Sequence, residues 1–190
     1  MQMSALNNAY WDKYATDFAS HYNEEMAKFI RDLALSLRAS SVLEVGCSAG
    51  NDLRLFSNQI SVGGIDNNEH AISKAKENLP QFEFKLGSIT SIPYESSSFD
   101  FVFTRNTLNY IEDSDLQNGL DEMFRVSKKY IMNIELFSED DSIIDYTPVK
   151  TIGRNMKDLW LNYQVKIISN VEMHHEIDPK KSRFVLIRKI

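Results

Sequence analysis

The sequence predicts a doubly wound α/β domain built on a mainly parallel, seven-stranded sheet with a last antiparallel strand. Three observations carry that reading. Short apolar runs exchange with segments of helical period, and a glycine turn from Gly46 to Gly50 follows the first run. The last two apolar runs, Val165 to Ile168 and Phe184 to Ile187, are joined by a polar loop that cannot hold a crossover helix, which makes that pair antiparallel. With 190 residues, 43% hydrophobic and 25% charged, the chain is one domain large enough to bury a core. Its 27 acidic residues outnumber the 21 basic ones and no Lys/Arg-rich run stands out, so nucleic acid is not an expected partner. Cys47 is the only cysteine, which excludes an internal disulfide, a paired-thiol motif and a Cys-rich zinc site, and no metal is expected. No apolar run approaches the roughly 18 residues of a membrane helix, and Met1 to Tyr10 lacks a basic start leading into an apolar core. No membrane partner is expected, and the expected location is cytoplasmic.

The elements follow in order. Met26, Phe29, Ile30, Leu33 and Leu37 recur three and four apart, as on one face of a helix. Ser41 to Gly46 reads as a buried strand, and the polar stretch through Leu53 and Phe56 as the helix after it. Ser61 to Asp66 is a second strand, and Ala71, Ile72, Ala75 and Leu79 line a helix stopped by Pro80. Phe82 to Leu86 and Phe99 to Thr104 are the third and fourth strands. Ser114 with Gln117 reads as a capping box opening a helix that carries Leu116, Leu120, Met123 and Phe124. Tyr130 to Leu136 is the fifth strand, and a helix is expected over Gly153 to Tyr163.

The chemistry concentrates in Glu44-Val45-Gly46-Cys47-Ser48-Ala49-Gly50, at the end of the first strand. Gly46 and Gly50 accept positive φ and let a ligand approach the backbone. Twenty-two residues after Glu44, Asp66 ends the second strand, where a carboxylate accepts both hydroxyls of a ribose. The glycines are four apart with Ser48 between them, so the G-x-G-x-x-G turn that seats a dinucleotide pyrophosphate is missing. An acid two residues before the first glycine suits a cationic ligand instead.

From about Tyr10 to Ile190 the chain resembles the class I S-adenosylmethionine-dependent methyltransferases. The resemblance implies a Rossmann-like sheet, S-adenosyl-L-methionine as cofactor and a small-molecule acceptor. It also implies an N-terminal helical lid segment over residues 1–40 and a cofactor-binding domain over 41–190. Glu44, Gly46, Cys47, Ser48 and Gly50 would hold the methionine half and Asp66 the ribose, with Ile65 and Asn67 flanking ribose and adenine. Gly87-Ser88-Ile89 stands where the family shows a small residue and then an acid on the adenine amine; Ser88 takes the acid's place, so the resemblance implies that this contact is weakened or comes from the Ile89 backbone amide. Asn106 and Leu108 would face the cofactor from the fourth strand's loop. Tyr10-Trp11-Asp12-Lys13-Tyr14 with Phe18 resembles an aromatic lid that excludes water, Tyr14 touching the cofactor. Ser48 and Ser88 depart from the family pattern. A narrower likeness, to methylases of pseudaminic acid and other surface-sugar biosynthesis, rests on Met123 to Ser127, Arg154-Asn155-Met156, His174-His175 and Asp178-Pro179.

The expected reaction is methyl transfer to an oxygen or nitrogen of a small metabolite, with His174 or His175 as the candidate base for a hydroxyl acceptor and Glu135 or Tyr146 behind them. A non-catalytic cofactor-binding module and a nicotinamide or nucleotide-sugar oxidoreductase are the competing readings. Tyr146 and Lys150 have the Tyr-x-x-x-Lys spacing of a dehydrogenase, but Pro148 between them opposes the helix that pair requires. Cys47 reads as a small filler, and Glu139-Asp140-Asp141 as a solvated loop.

Overall fold

The computed structural model describes residues 5–140, 142–145, 149–180 and 182–190. Asp141, Tyr146 and Pro148, weighed above, lie outside the described residues.

Helix α1 (Ala5–Thr16) and a single 3-10 turn precede α2 (Glu24–Ser36). Asn23 caps α2 by accepting the Met26 N–H at 3.0 Å, Glu24 and Glu25 complement the dipole of its first turn, and Met26, Ala27, Ile30 and Ala34 are its buried face. Strand β1 (Ser41–Val45) is buried throughout. Next come β2 (Ser61–Asp66), α3 (Glu69–Asn78), β3 (Glu83–Leu86), β4 (Phe99–Arg105), α4 (Asp113–Val126) and β5 (Ser127–Glu135). A two-stranded ribbon, β6 (Ile143–Asp145) with β7 (Thr151–Ile152), then α5 (Met156–Trp160), β8 (Val165–Glu172) and β9 (Arg183–Lys189), complete the chain.

The main sheet has seven strands in the order β3-β2-β1-β4-β5-β9-β8. The first five pair in parallel, and β9 runs antiparallel to both β5 and β8. Alternate residues of each strand feed opposite faces. Val42, Phe101, Phe103, Met132 and Ile134 pack beneath α2 and α3, while Leu43, Val45, Val102, Ile131 and Ile187 pack beneath α4 and α5. The doubly wound, mainly parallel sheet is the one the apolar runs imply. Because β1 lies between β2 and β4, the strand order reverses there, and a crevice opens at the carboxyl ends of those strands. Among the described residues no helix is long and apolar enough to cross a membrane.

Four local expectations need correction. The stretch after Gly50 forms only a 3-10 turn, Asn51–Leu53, because Asn51 and Asp52 are drawn away to Phe18 and Arg105. Ser114 sits inside α4, which starts after Glu112 without a side-chain cap. The helix expected over Gly153 to Tyr163 shrinks to α5, capped by Asn155, because Gly153 is tied to Ser142 beside the ribbon. That ribbon was not anticipated. Of residues 1–40, α2 belongs to the sheet's packing, and α1 with its turn reaches over the strand ends.

Candidate active site

The floor of the crevice is built from three strand ends. After β1, Gly46 (φ +79°) and Cys47 both donate their N–H to the Ile65 carbonyl, at 2.8 and 2.9 Å, which pins the turn to β2. A β-carbon on Gly46 would lie 2.3 Å from Thr107 Oγ1, so the glycine exists to admit the loop after β4. Asp66, at the end of β2, accepts the Ser48 N–H at 2.8 Å and the Asn68 N–H at 2.9 Å. Burial pushes its carboxyl above the usual range, while those amides pull the other way.

Behind this turn Glu44 and Asp52, each 3% exposed, face Arg105, which hydrogen-bonds Asp52. Burial, then the neighbouring Asp52, drives the Glu44 carboxyl well above its ordinary value. Burial opposes the Arg105 charge, but Asp52 more than restores it. Glu44 Oε2, Asn51 Oδ1, Asp52 Oδ1 and Asn106 Oδ1 are buried without a hydrogen-bond partner, and all four residues line the crevice. Three carboxylates against one guanidinium leave the floor short of positive charge and of donors. A ligand with an ammonium and a sulfonium supplies the charge, and ribose hydroxyls supply donors; these residues fit S-adenosylmethionine.

The roof comes from α1 and the turn after it. Asn68, which caps α3 by accepting the Ala71 N–H at 2.8 Å, also donates to Asp12 at 2.7 Å, and Thr16 meets His70 at 2.9 Å. Asn51 holds the Phe18 carbonyl at 2.7 Å. Trp11 stands edge-on to Tyr110 with ring centres 4.9 Å apart, and Tyr14 stacks on His21 at 3.9 Å. Apolar rings therefore cover an acidic floor.

Tyr14, Glu44, Gly46, Cys47, Ser48, Asp66, Asn67, Ile89 and Asn106 are brought together around this crevice. Gly50, Ser88 and Leu108 are not. Gly50 is buried at the back of the turn; Ser88 turns its hydroxyl to Thr90 at 2.8 Å; Leu108 is wholly buried in the core beneath α4. His174 and His175 are also outside it: both are exposed, ring on ring at 4.4 Å, in the β8–β9 loop. That loop instead contributes Lys180. Glu135 lies behind the wall, wholly buried, accepting the N–H groups of Thr107 at 3.0 Å and Asn109 at 3.4 Å. Burial pushes its carboxyl to about 7. It positions the loop after β4 rather than touching a ligand. Asp52, Arg105, Thr107 and Lys180 line the crevice but were not singled out from sequence; only Arg105, a charge ending an apolar run, carried a local signal. Burial, with the Asp66 and Glu44 carboxylates nearby, holds the Cys47 thiol well above its usual value, so it is inert.

Ser48 adopts φ +45°, the left-handed region that glycine tolerates best. Ser48→Gly is therefore expected to hold or raise stability, by up to about 1.5 kcal/mol, since a left-handed residue costs about 1 to 2 kcal/mol and glycine's extra chain entropy offsets about 0.5 to 1 of that. Thermal unfolding checks it; a melting temperature lowered by several degrees would mean the hydroxyl supports the turn.

The comparisons with known proteins agree with this geometry. Residues 42–130, just under half of the chain, match the methyltransferase domain model. An uncharacterized 37.1 kDa transposon protein of Streptomyces fradiae is 34% identical over 55% of this chain and 32% of its own length. Trans-aconitate 2-methyltransferase of Variovorax paradoxus is 28% identical over 48% of this chain and 38% of its own. The chain thus spans about a third of the length of these curated relatives. Among solved structures, the N-methyltransferase NodS of Bradyrhizobium japonicum, in complex with S-adenosyl-L-homocysteine, superposes with a TM-score of 0.67 at 17% identity, covering 83% of each chain. An S-adenosylmethionine-dependent methyltransferase of Clostridium acetobutylicum gives 0.69 at 12% identity, covering 96% of this chain and 98% of its own. Residues 42–130 are thus similar to a methyltransferase domain, and the chain has the Rossmann-like fold of those solved methyltransferases.

Proposed function

We propose that this chain binds S-adenosylmethionine in the crevice and transfers its methyl group to an oxygen or nitrogen of a small metabolite. The observation that carries this reading is the floor: buried, unpartnered acceptors on Glu44, Asp52 and Asn106 beside the Gly46 turn, with Asp66 at the end of the next strand. When bound, the cofactor supplies a methyl on a sulfonium, an already activated electrophile. Glu44 and Asp52 would accept hydrogen bonds from its ammonium and Asp66 from its ribose, and Ile89 would pack on the adenine. Tyr14 and Trp11 cover the crevice and exclude water, so the residues mainly align and shield the reactants. Within this reading an acidic sugar is one acceptor of the right kind, as the narrower likeness around Arg154 to Met156 suggests. The net charge of −6 favours a small molecule over nucleic acid.

Calorimetry with S-adenosylhomocysteine and NADH tests the proposal. S-adenosylhomocysteine is expected to bind one to one and NADH not at all. Asp66→Ala would orphan both the Ser48 and Asn68 amides, whereas Asp66→Asn keeps one acceptor oxygen for one of them and is the cleaner variant; losing the charge-assisted pair should weaken binding about tenfold or more. Equal affinity in Asp66→Asn would remove the ribose assignment.

A further inference from the structure

The upper part of the crevice has a chemistry opposite to that of its floor. Lys180 reaches it from the β8–β9 loop, which is a built structure rather than a loose tether. Asp178, 4% exposed, accepts the N–H groups of Lys180 at 3.2 Å and Ser182 at 2.9 Å, and Asn23 donates to the Ile177 carbonyl at 2.7 Å. The Lys180 ammonium has no ion-pair partner among the described residues, whereas Arg105 is already tied to Asp52. Tyr10, Tyr14 and Tyr110 line the same crevice. Burial raises all three phenols, Tyr110 to about 12, so they stay protonated at neutral pH.

None of the chain's four histidines lines the crevice. His21 is stacked on Tyr14, His70 is held by Thr16, and His174 and His175 are exposed in the β8–β9 loop, outside the lining of the crevice. The carboxylates that do line it belong to the floor: Glu44 and Asp66 face the cofactor, and Asp52 is held by Arg105. Among the described residues, the upper wall thus offers a cation and hydrogen-bond donors but no group ready to take a proton.

We infer that the acceptor carries a carboxylate seated against Lys180, and that this carboxylate is itself the group methylated. The inference rests on the methyltransferase reading above. One carboxylate oxygen forms the new bond to the methyl carbon, the methyl–sulfur bond breaks, and its electron pair stays on sulfur. The negative charge of the carboxylate and the positive charge of the sulfonium cancel, leaving a neutral ester and a neutral thioether. No proton has to leave, which matches a wall without a base. A hydroxyl or ammonium acceptor would shed one. The ester no longer pairs with Lys180, which favours its release.

The test uses benzoate, citrate and N-acetylneuraminate, each beside its methyl ester, titrated calorimetrically into the wild-type chain and Lys180→Met, both saturated with S-adenosylhomocysteine. At least one acid is expected to bind the wild type, with its ester and the Lys180→Met variant each weakening it about fivefold or more. Lys180→Met is expected to bind S-adenosylhomocysteine as the wild type does. Incubation with methyl-labelled S-adenosylmethionine and the bound acid should yield label that mild alkali releases as methanol. If no acid binds, if binding ignores Lys180, or if the labelled product resists alkali, the inference is overturned while the cofactor site stands. If Lys180→Met loses S-adenosylhomocysteine, Lys180 holds the cofactor's own carboxylate and the inference is likewise overturned. Failure of the wild type to bind S-adenosylhomocysteine would instead remove the proposed function.

Discussion

Gly46→Val is expected to abolish S-adenosylhomocysteine binding and to lower stability by about 2 to 5 kcal/mol. Gly46 holds φ +79°, where a β-branched residue is least at home, and the left-handed backbone alone costs about 1 to 2 kcal/mol. The added β-carbon would also stand 2.3 Å from Thr107 Oγ1 and 2.5 Å from Thr107 Cγ2. Forcing those atoms apart costs about 1 to 3 kcal/mol and displaces the Asn106 to Tyr110 loop from the crevice. From sequence alone, a side chain at Gly46 would be expected to strike the ligand. The structure places Thr107 there instead, which makes the effect separable. Gly46→Ala combined with Thr107→Ala should recover the packing part of the loss but not the backbone part, a non-additivity that denaturant unfolding of the four proteins measures. Strict additivity, or a folded Gly46→Val protein with wild-type affinity, would show the turn to be incidental.

Arg105→Met is expected to cost about 3 to 5 kcal/mol at neutral pH, because it strands Asp52 and Glu44 in a site where each is 3% exposed. The sign of its pH dependence follows from the same residues. Burial and the neighbouring Asp52 already hold the Glu44 carboxyl above its unfolded value, and losing the guanidinium that opposes them raises it further. The folded state then binds more protons than the unfolded chain, so stability is present at low pH and lost as pH rises through the raised value. Urea unfolding at pH 5 and pH 8 should find the deficit of Arg105→Met larger at pH 8. A deficit equal at both would mean that Arg105 contributes packing rather than charge compensation.

What was legible in the sequence was periodic or local. The strands from Ser41 to Leu136 declared themselves as apolar runs, and the Glu44 to Gly50 turn with Asp66 marked the floor because both lie at strand ends. What was not legible depends on contacts distant in sequence. Asp52 looks like one polar residue among several until Arg105, 53 residues on, is brought to it. Lys180 and the two adjacent histidines share one loop, held by Asp178 and Asn23, and in the folded loop the lysine lines the crevice while the histidines do not. Ser114 reads as a cap because of the Gln three residues later, yet the helix begins two residues sooner, with Glu112 in the cap position and Asp113 as its first residue. Local propensity set the pattern, and tertiary pairing set the ends.

The central claim is that the acidic floor exists for a cationic methionine group, and Glu44→Gln tests it most directly. Burial already drives the Glu44 carboxyl toward its neutral form, so the amide, equal in size and uncharged, should fold as well as the wild type. It cannot offer a carboxylate to an ammonium. Titration calorimetry with S-adenosylhomocysteine should find one-to-one binding to the wild type and affinity at least about tenfold weaker in Glu44→Gln, the loss of a charge-assisted hydrogen bond. Equal affinity in the two folded proteins would contradict the account.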